Sequence, residues 1–126
     1  MTPEFLILLV LLFQFKHLLA DWVLQSAWMV KHKATWGHPG GIAHAATHAA
    51  LTLPVLLIAG LGIVAALIVA LIEFVVHYQT DWAKANYTRS HGHTPKDKAY
   101  WVWMGIDQFA HQITYVAILF YLTTVL

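Results

Sequence analysis

The sequence predicts an all-α protein: a single domain of four transmembrane helices packed up and down, with both termini outside the cytoplasm. Three observations predict it. Of the 126 residues, 60% are hydrophobic and only 10% are Asp, Glu, Lys or Arg, against roughly 45–50% and 25% in soluble domains. No formal charge occurs between Lys33 and Glu73, a stretch too long for one span, and Gly60-Leu61-Gly62 offers the place to turn back. The polar residues that remain recur at intervals of four, which gathers side chains on one helix face.

A span needs about 20 mostly apolar residues to cross roughly 30 Å of hydrocarbon. The first helix is expected over about residues 3–24, opened by Pro3, a good first-turn residue. It lacks a basic leading segment and a small-residue cleavage site, and it carries Lys16, His17 and Asp21 internally, so it does not read as a cleavable signal. The second helix is expected over about 42–59, with Pro54 inside it as a tolerable kink in lipid. The third follows over about 63–85 and the fourth over about 99–122. The first connection holds the turn-prone run Trp36-Gly37-His38-Pro39-Gly40-Gly41, and the last is the polar stretch 86–98.

Charge sets the orientation. Lys31, Lys33, Lys84, Arg89, Lys96 and Lys98 lie in or beside the first and last connections, while the opposite side has Glu4 and no Lys or Arg. The positive-inside rule places those two loops in the cytoplasm. All six tryptophans flank the same side, as an interfacial belt would. Lys16 is expected to snorkel its ammonium toward that face, and His32 and His38 to sit at the interface. A net charge of +1 without a basic face excludes nucleic acid as a partner, and the absence of cysteine excludes disulfides and thiolate metal sites. The lipid bilayer is the expected partner, with homo-oligomers left open.

Ionisable groups inside a span are expensive and default to functional candidates. Here they form ordered stripes: His17, Asp21 and Gln25; His44, His48 and Thr52; Glu73, His77 and Asp81, with Lys84 on nearly the same face; and Asp107, His111 and Tyr115. The stripes occupy the ends of the first and third helices and the beginnings of the second and fourth. In an up-down bundle those ends meet, so all four converge on the cytoplasmic half. Side chains at i and i+4 can share one metal ion, which makes His17, Asp21, His44, His48, His77, Asp81, Asp107 and His111 the candidate ligands. Imidazole with carboxylate suits Zn²⁺ first, then Fe or Mn, and the lack of thiolate disfavours Cu(I). Asp21, Glu73, Asp81 and Asp107 are four of the six acids; two divalent ions would balance them, whereas a single ion leaves charge to Lys84, to protonation or to carboxylates that orient a ligand histidine. One or two ions therefore fit. Gln25 and Tyr115 are expected as hydrogen-bond partners, Asp81 and Lys84 as an ion pair, and His91-Gly92-His93 as part of a loop.

The motifs His17-x3-Asp21-x3-Gln25, His77-x3-Asp81-x2-Lys84 and Asp107-Gln108-x2-His111, with Lys31, Lys33 and His44 between them, resemble a domain-of-unknown-function family of small bacterial and phage integral-membrane proteins. The resemblance spans nearly the whole chain and implies a compact helical protein of the bacterial inner membrane with these polar positions; it implies no reaction.

H-E-x-x-H, G-x-S-x-G and P-loop patterns are absent, and the i, i+4 pairs differ from the Glu-x-x-His spacing of di-iron bundles. The function expected is a membrane-embedded metalloenzyme of the hydrolase type, acting on an amphiphilic or lipid-linked substrate at the cytoplasmic leaflet. Glu73 is the candidate general base and Lys84 the second catalytic candidate; two irons would allow oxygen activation instead. The alternatives are a small metal-ion or proton transporter, which the apolar outer halves of the helices oppose, and a non-catalytic structural membrane protein.

Overall fold

The computed structural model describes residues 1–126, and every regular element in it is helical. Thr2 caps the first helix, its hydroxyl accepting from the Phe5 N–H at 3.3 Å, and Pro3 occupies the first turn of α1 (Pro3–Leu18). One π-helical turn, Leu19–Val23, continues it. Ser26 then caps a short helix, α2 (Ala27–His32), that the hydropathy pattern does not foretell. The remaining helices are α3 (Pro39–Ile58), α4 (Ile63–Ser90) and α5 (Lys98–Val125).

The long helices lie within a few residues of their expected bounds, and the differences have local causes. α3 begins at Pro39 because the imidazole Nδ1 of His38 accepts from the Gly40 N–H at 3.0 Å and caps the helix early. α4 continues to Ser90 and absorbs residues 86–90 of the expected loop; Thr88 there donates back to the Lys84 carbonyl at 3.0 Å. The α4–α5 connection is reduced to 91–97. In it Thr94 donates to the Asp97 carboxylate from its N–H (2.7 Å) and its hydroxyl (2.9 Å), holding that acid below the usual carboxylate range. Gln25 falls beyond the end of the first helix, not at a third position of its stripe.

By length and composition, the segments Pro3–Val23, Pro39–Ile58 and Ile63–Ser90 could each cross a membrane. α5 is as long as α4, but Asp107, Gln108, His111, Gln112 and several hydroxyl residues dilute its hydropathy. Outward faces carry apolar side chains such as Ile7, Leu11, Phe15, Leu71 and Phe120, all more than half exposed.

Each long helix packs on the next, and α5 closes back on α1. α1 and α5 run antiparallel: Phe13 stacks on Tyr115 (5.3 Å), Gln14 donates to Gln112 (2.5 Å), and His17 meets Gln108 (2.8 Å). α4 and α5 do likewise, with His77 against His111 (4.0 Å) and Tyr87 against Trp103 (4.3 Å). Gly60, at φ +95°, makes the reversal between α3 and α4. The interior has two levels. One is an apolar cluster of Leu9, Phe13, Val55, Leu56, Ile118 and Leu122 with their neighbours; the other, toward α2 and the α4–α5 connection, is polar.

The α2–α3 segment is fastened over the polar end. Trp36 packs edge-on against Tyr78 (5.1 Å) and Trp82 (4.9 Å), the Gly37 N–H donates to the Tyr78 hydroxyl (2.6 Å), and Arg89 donates to the Ala34 carbonyl (3.3 Å). Close approach of α2 to α3 requires Gly40, where a Cβ would lie 3.1 Å from both His32 Cβ and the Trp28 carbonyl. Gly40→Leu should therefore overpack this contact and lower stability by about 1–3 kcal/mol, measured by thermal unfolding in detergent. Gly105→Ala, where a Cβ would meet nothing within 4 Å inside α5, should instead raise stability by up to about 1 kcal/mol.

Candidate metal centre

The polar level is assembled around two carboxylates. Asp21 sits on the π-helical turn, a distortion that recurs at functional sites and that here ends the first helix within three residues. Its Oδ1 lies 3.0 Å from His48 Nε2 and 3.2 Å from His44 Nε2, and its Oδ2 lies 3.1 Å from His17 Nε2. Asp81, one turn beyond His77 on the buried stripe of α4, is the second hub. Its Oδ2 lies 2.9 Å from Lys33 Nζ, 3.2 Å from His44 Nε2 and 3.4 Å from His77 Nε2; its Oδ1 lies 3.3 Å from His111 Nε2.

Every histidine of the four stripes thus turns Nε2 inward, and those nitrogens crowd one another. His44 Nε2 and His77 Nε2 are 3.2 Å apart. Two N–H groups cannot face each other at that distance, so at least one of these nitrogens presents a bare lone pair. His44 Nε2 also faces both carboxylates, and one proton cannot serve three acceptors. Ligand atoms of Asp21, His44, His48 and His77 lie within 4.8 Å of one another, and those of His77, Asp81 and His111 form a second such group. These are the donor types and the spacing that a divalent cation accepts, and His77 belongs to both groups.

The other expected site residues stand around this pair of groups. His17 is outside both, held by Tyr115 (hydroxyl to Nδ1, 2.8 Å) and by Gln108 (Oε1 to Nε2, 2.8 Å); the hydrogen-bonding part expected of Tyr115 is thereby observed. Asp107 lies 3.5 Å from His111 Nε2. Gln25, in the turn after the first helix, folds back to donate to the Asp21 carbonyl at 2.8 Å. Glu73 is one helical turn deeper than His77 and outside both groups.

Two expectations are corrected. Lys16 does not snorkel: it is 3% exposed and forms an ion pair with Glu73, its ammonium 4.4 Å from the Tyr115 ring centroid. A deep acid on the facing helix supplies what the water at the membrane surface otherwise would. Lys84 does not pair with Asp81; its Nζ lies 3.5 Å from Met104 Sδ and 5.7 Å from the Tyr100 ring. Lys33 takes that place because the turn after α2 carries it across the mouth of the site. His91-Gly92-His93 lies in the α4–α5 connection as expected, with His91 capping α4 and stacking on Tyr87 at 4.0 Å.

Reading the residues gave Lys16 and Lys33 no part in the constellation, and Gln108 entered only through the family resemblance. A signal existed for Lys16: a charge buried within a span needs a partner, and Glu73 is the acid at a matching depth. Lys33 had none, because its reach depends on α2.

The DUF3307 family, described as a protein of unknown function, matches residues 6–126, and the chain belongs to it. No curated protein and no solved structure matches.

The Lys16–Glu73 pair yields a direct test. Lys16→Met leaves the Glu73 carboxylate buried without its cation and should cost about 3–5 kcal/mol. Lys16→Met combined with Glu73→Leu should recover most of that loss. Thermal unfolding of the two variants in detergent, beside the parent protein, measures both.

Proposed function

We propose that this member of the DUF3307 family is an integral-membrane metal-binding protein that works as a metal-dependent enzyme of the hydrolase type, on an amphiphilic or lipid-linked substrate at the cytoplasmic leaflet. The observation that carries the proposal is the convergence of inward-facing imidazole nitrogens on two carboxylates, with His44 Nε2 and His77 Nε2 at 3.2 Å. A network built only for hydrogen bonding would match donors to acceptors; here His44 Nε2 faces two carboxylate oxygens and a second imidazole nitrogen, with one proton at most to share among them.

All four long helices cross the bilayer in this proposal. α5 joins the three apolar spans because it buries Asp107, His111 and Tyr115 while exposing Phe109, Ile113, Val116 and Phe120. The basic residues and tryptophans in and beside the first and last connections support a cytoplasmic location for the polar end.

A single Nε2 lone pair binds one ion, so His77 cannot complete both ligand groups at once. With Asp21, His44 and His48 it makes a four-donor set, closed as structural sites are. With Asp81 and His111 it makes a three-donor set that leaves a position open, as catalytic sites do. Zn²⁺ suits these donors best, and Fe or Mn fit them too. An ion in the open set would supply Lewis acidity and lower the pKa of the water it binds. The chain's own groups orient and confine: Tyr115 and Gln108 fix the His17 ring, Asp107 backs His111, and Lys33 neutralises Asp81. Glu73 and Lys16 form the floor, and Lys84 lies at the cytoplasmic rim. Below that floor the apolar cluster around Leu9, Phe13, Leu56 and Leu122 is fully buried, which opposes conduction through a single chain.

Elemental analysis of protein purified without chelators is the test. A stoichiometric divalent metal is expected. It should fall by more than about 100-fold in affinity in His77→Ala, since even neighbours that merely orient a ligand contribute 10–100-fold. In His91→Ala it should persist. Folded protein that carries no metal, and takes up neither zinc, iron nor manganese on titration, would overturn the proposal.

A further inference from the structure

The outward-facing seam between α4 and α5 carries two cavities end to end; Glu73, Asp107 and Lys84 reach them from the edges of the site described above, but neither group of close ligand atoms lines them. The first, of 540 Å³, is walled by Ile68, Ile72, Ala117 and other apolar residues, with Glu73 as its one acid. Ile68, Ile72 and Ile113 on its rim are 54%, 57% and 50% exposed, so it opens sideways, toward lipid in a membrane-spanning bundle. The second, of 390 Å³, lies toward the cytoplasmic end and is lined by Lys84, Asp107, Tyr87 and Trp103 among others. Along α4 the first cavity ends at Val76 and the second begins at Thr80; along α5 they meet between Ala110 and Ile113. His77, Asp81 and His111, the three-donor set, sit on the buried faces of those same turns.

Lys84 distinguishes the lower cavity. The residue is half-buried, its ammonium has no carboxylate within 4.0 Å, and its hydrogen-bond partner is Met104 Sδ. Every other partly buried lysine here has an acid: Lys16 has Glu73 and Lys33 has Asp81. Asp107 shares the cavity wall, but its carboxylate is turned to His111 (3.5 Å) and Gln108 (3.5 Å). An unpaired, partly desolvated cation favours an anionic guest. The apolar groove above it, about 16 Å long from Ala65 to Val76 at 1.5 Å per residue, favours a hydrocarbon chain.

We propose that the α4–α5 seam binds a single-chain amphiphile bearing a phosphate, with the phosphate on Lys84 in the lower cavity and the chain in the upper groove. The junction of headgroup and chain then crosses the turn that holds His77, Asp81 and His111. This assigns a substrate class to the enzyme proposed above and rests on that proposal only for its catalytic meaning; binding stands by itself.

The test uses the full chain in phosphatidylcholine nanodiscs and equilibrium binding of tetradecyl phosphate, with metal content read on the same samples. Lys84→Gln should weaken binding at least about tenfold with metal content unchanged, and Lys84→Arg should restore it. Ile72→Trp, at an exposed position in the groove, should also weaken it by obstructing the chain. Inorganic phosphate and an uncharged tetradecyl amphiphile should each compete poorly. Equal affinity in Lys84→Gln overturns the inference. So does full competition by inorganic phosphate, which makes the cavity a free-anion site, or by the uncharged amphiphile, which makes the groove a lipid-chain contact. Metal present with binding insensitive to Lys84 defeats this inference alone. Metal absent with Lys84-dependent binding supports it and defeats the metalloenzyme alone.

Discussion

Two carboxylates inside an apolar bundle are the constraint from which the rest follows. Asp21 and Asp81 are each about nine-tenths removed from solvent at the side chain, where an ionised carboxylate is tolerated only with several donors or cations around it. One helix cannot supply them. Asp21 draws His44 and His48 from α3 and His17 from its own helix; Asp81 draws His44 from α3, His77 from α4, His111 from α5 and Lys33 from the segment after α2. The helices are brought to one register by these demands, more narrowly than apolar packing requires. Hydrophobic stripes tolerate sliding by a turn, but a carboxylate with three imidazoles at 3.0–3.2 Å does not.

The same constraint explains local departures from regular structure. A continuous α-helix past Leu18 would carry the backbone on beyond the site. The π turn instead widens the helix at Asp21, and the chain then reverses into α2. α2 returns Lys33 to the mouth of the site, and for α2 to lie that close, α3 must begin with glycines at 40 and 41, where added side chains would crowd His32, Trp28 and Tyr78. A buried anion on α4 thus dictates the residue types at the start of α3 through a third, six-residue helix. Deeper in the bundle the diagonal pair Lys16–Glu73 repeats the logic between α1 and α4, which have no backbone contact of their own.

How much of this could be read from sequence depended on whether the information was periodic. Spans and stripes are periodic, so the four long helices emerged within a few residues of their bounds, and of the eight candidate ligands Asp21, His44, His48, His77, Asp81 and His111 fall in the two close groups while His17 and Asp107 stand beside them. Partner choice is not periodic. Lys84 lies near Asp81 along α4 and looked like its counter-ion, yet Lys33, distant in sequence, holds that place; Lys16 looked able to reach water, yet a facing acid was nearer. The length of α4 was underestimated because Asn86–Ser90 is polar, and polarity marks departure from the hydrocarbon, not the end of a helix. α2, at six residues, is too short for a hydropathy pattern and depends on its Ser26 cap and its docking partner.

A purely structural role for the polar level fits this arrangement poorly. Buried ion pairs and triads can often be replaced by well-packed apolar residues with a gain in stability, and the other end of this bundle, with Leu9, Phe13, Leu56 and Leu122 fully buried, shows that the fold accommodates such packing. Four helices could have been joined that way throughout. Instead the polar level sets His44 Nε2 against two carboxylate oxygens and His77 Nε2 at once, more acceptors than its one proton can serve, and keeps Nδ1 of both His44 and His48 unpartnered as well. These are costs with no return in packing. A divalent cation at the Nε2 side would relieve the first of these costs: it would accept the crowded lone pairs and neutralise the carboxylates, so that distances too crowded for a hydrogen-bond network would become the approach of ligands to a common centre.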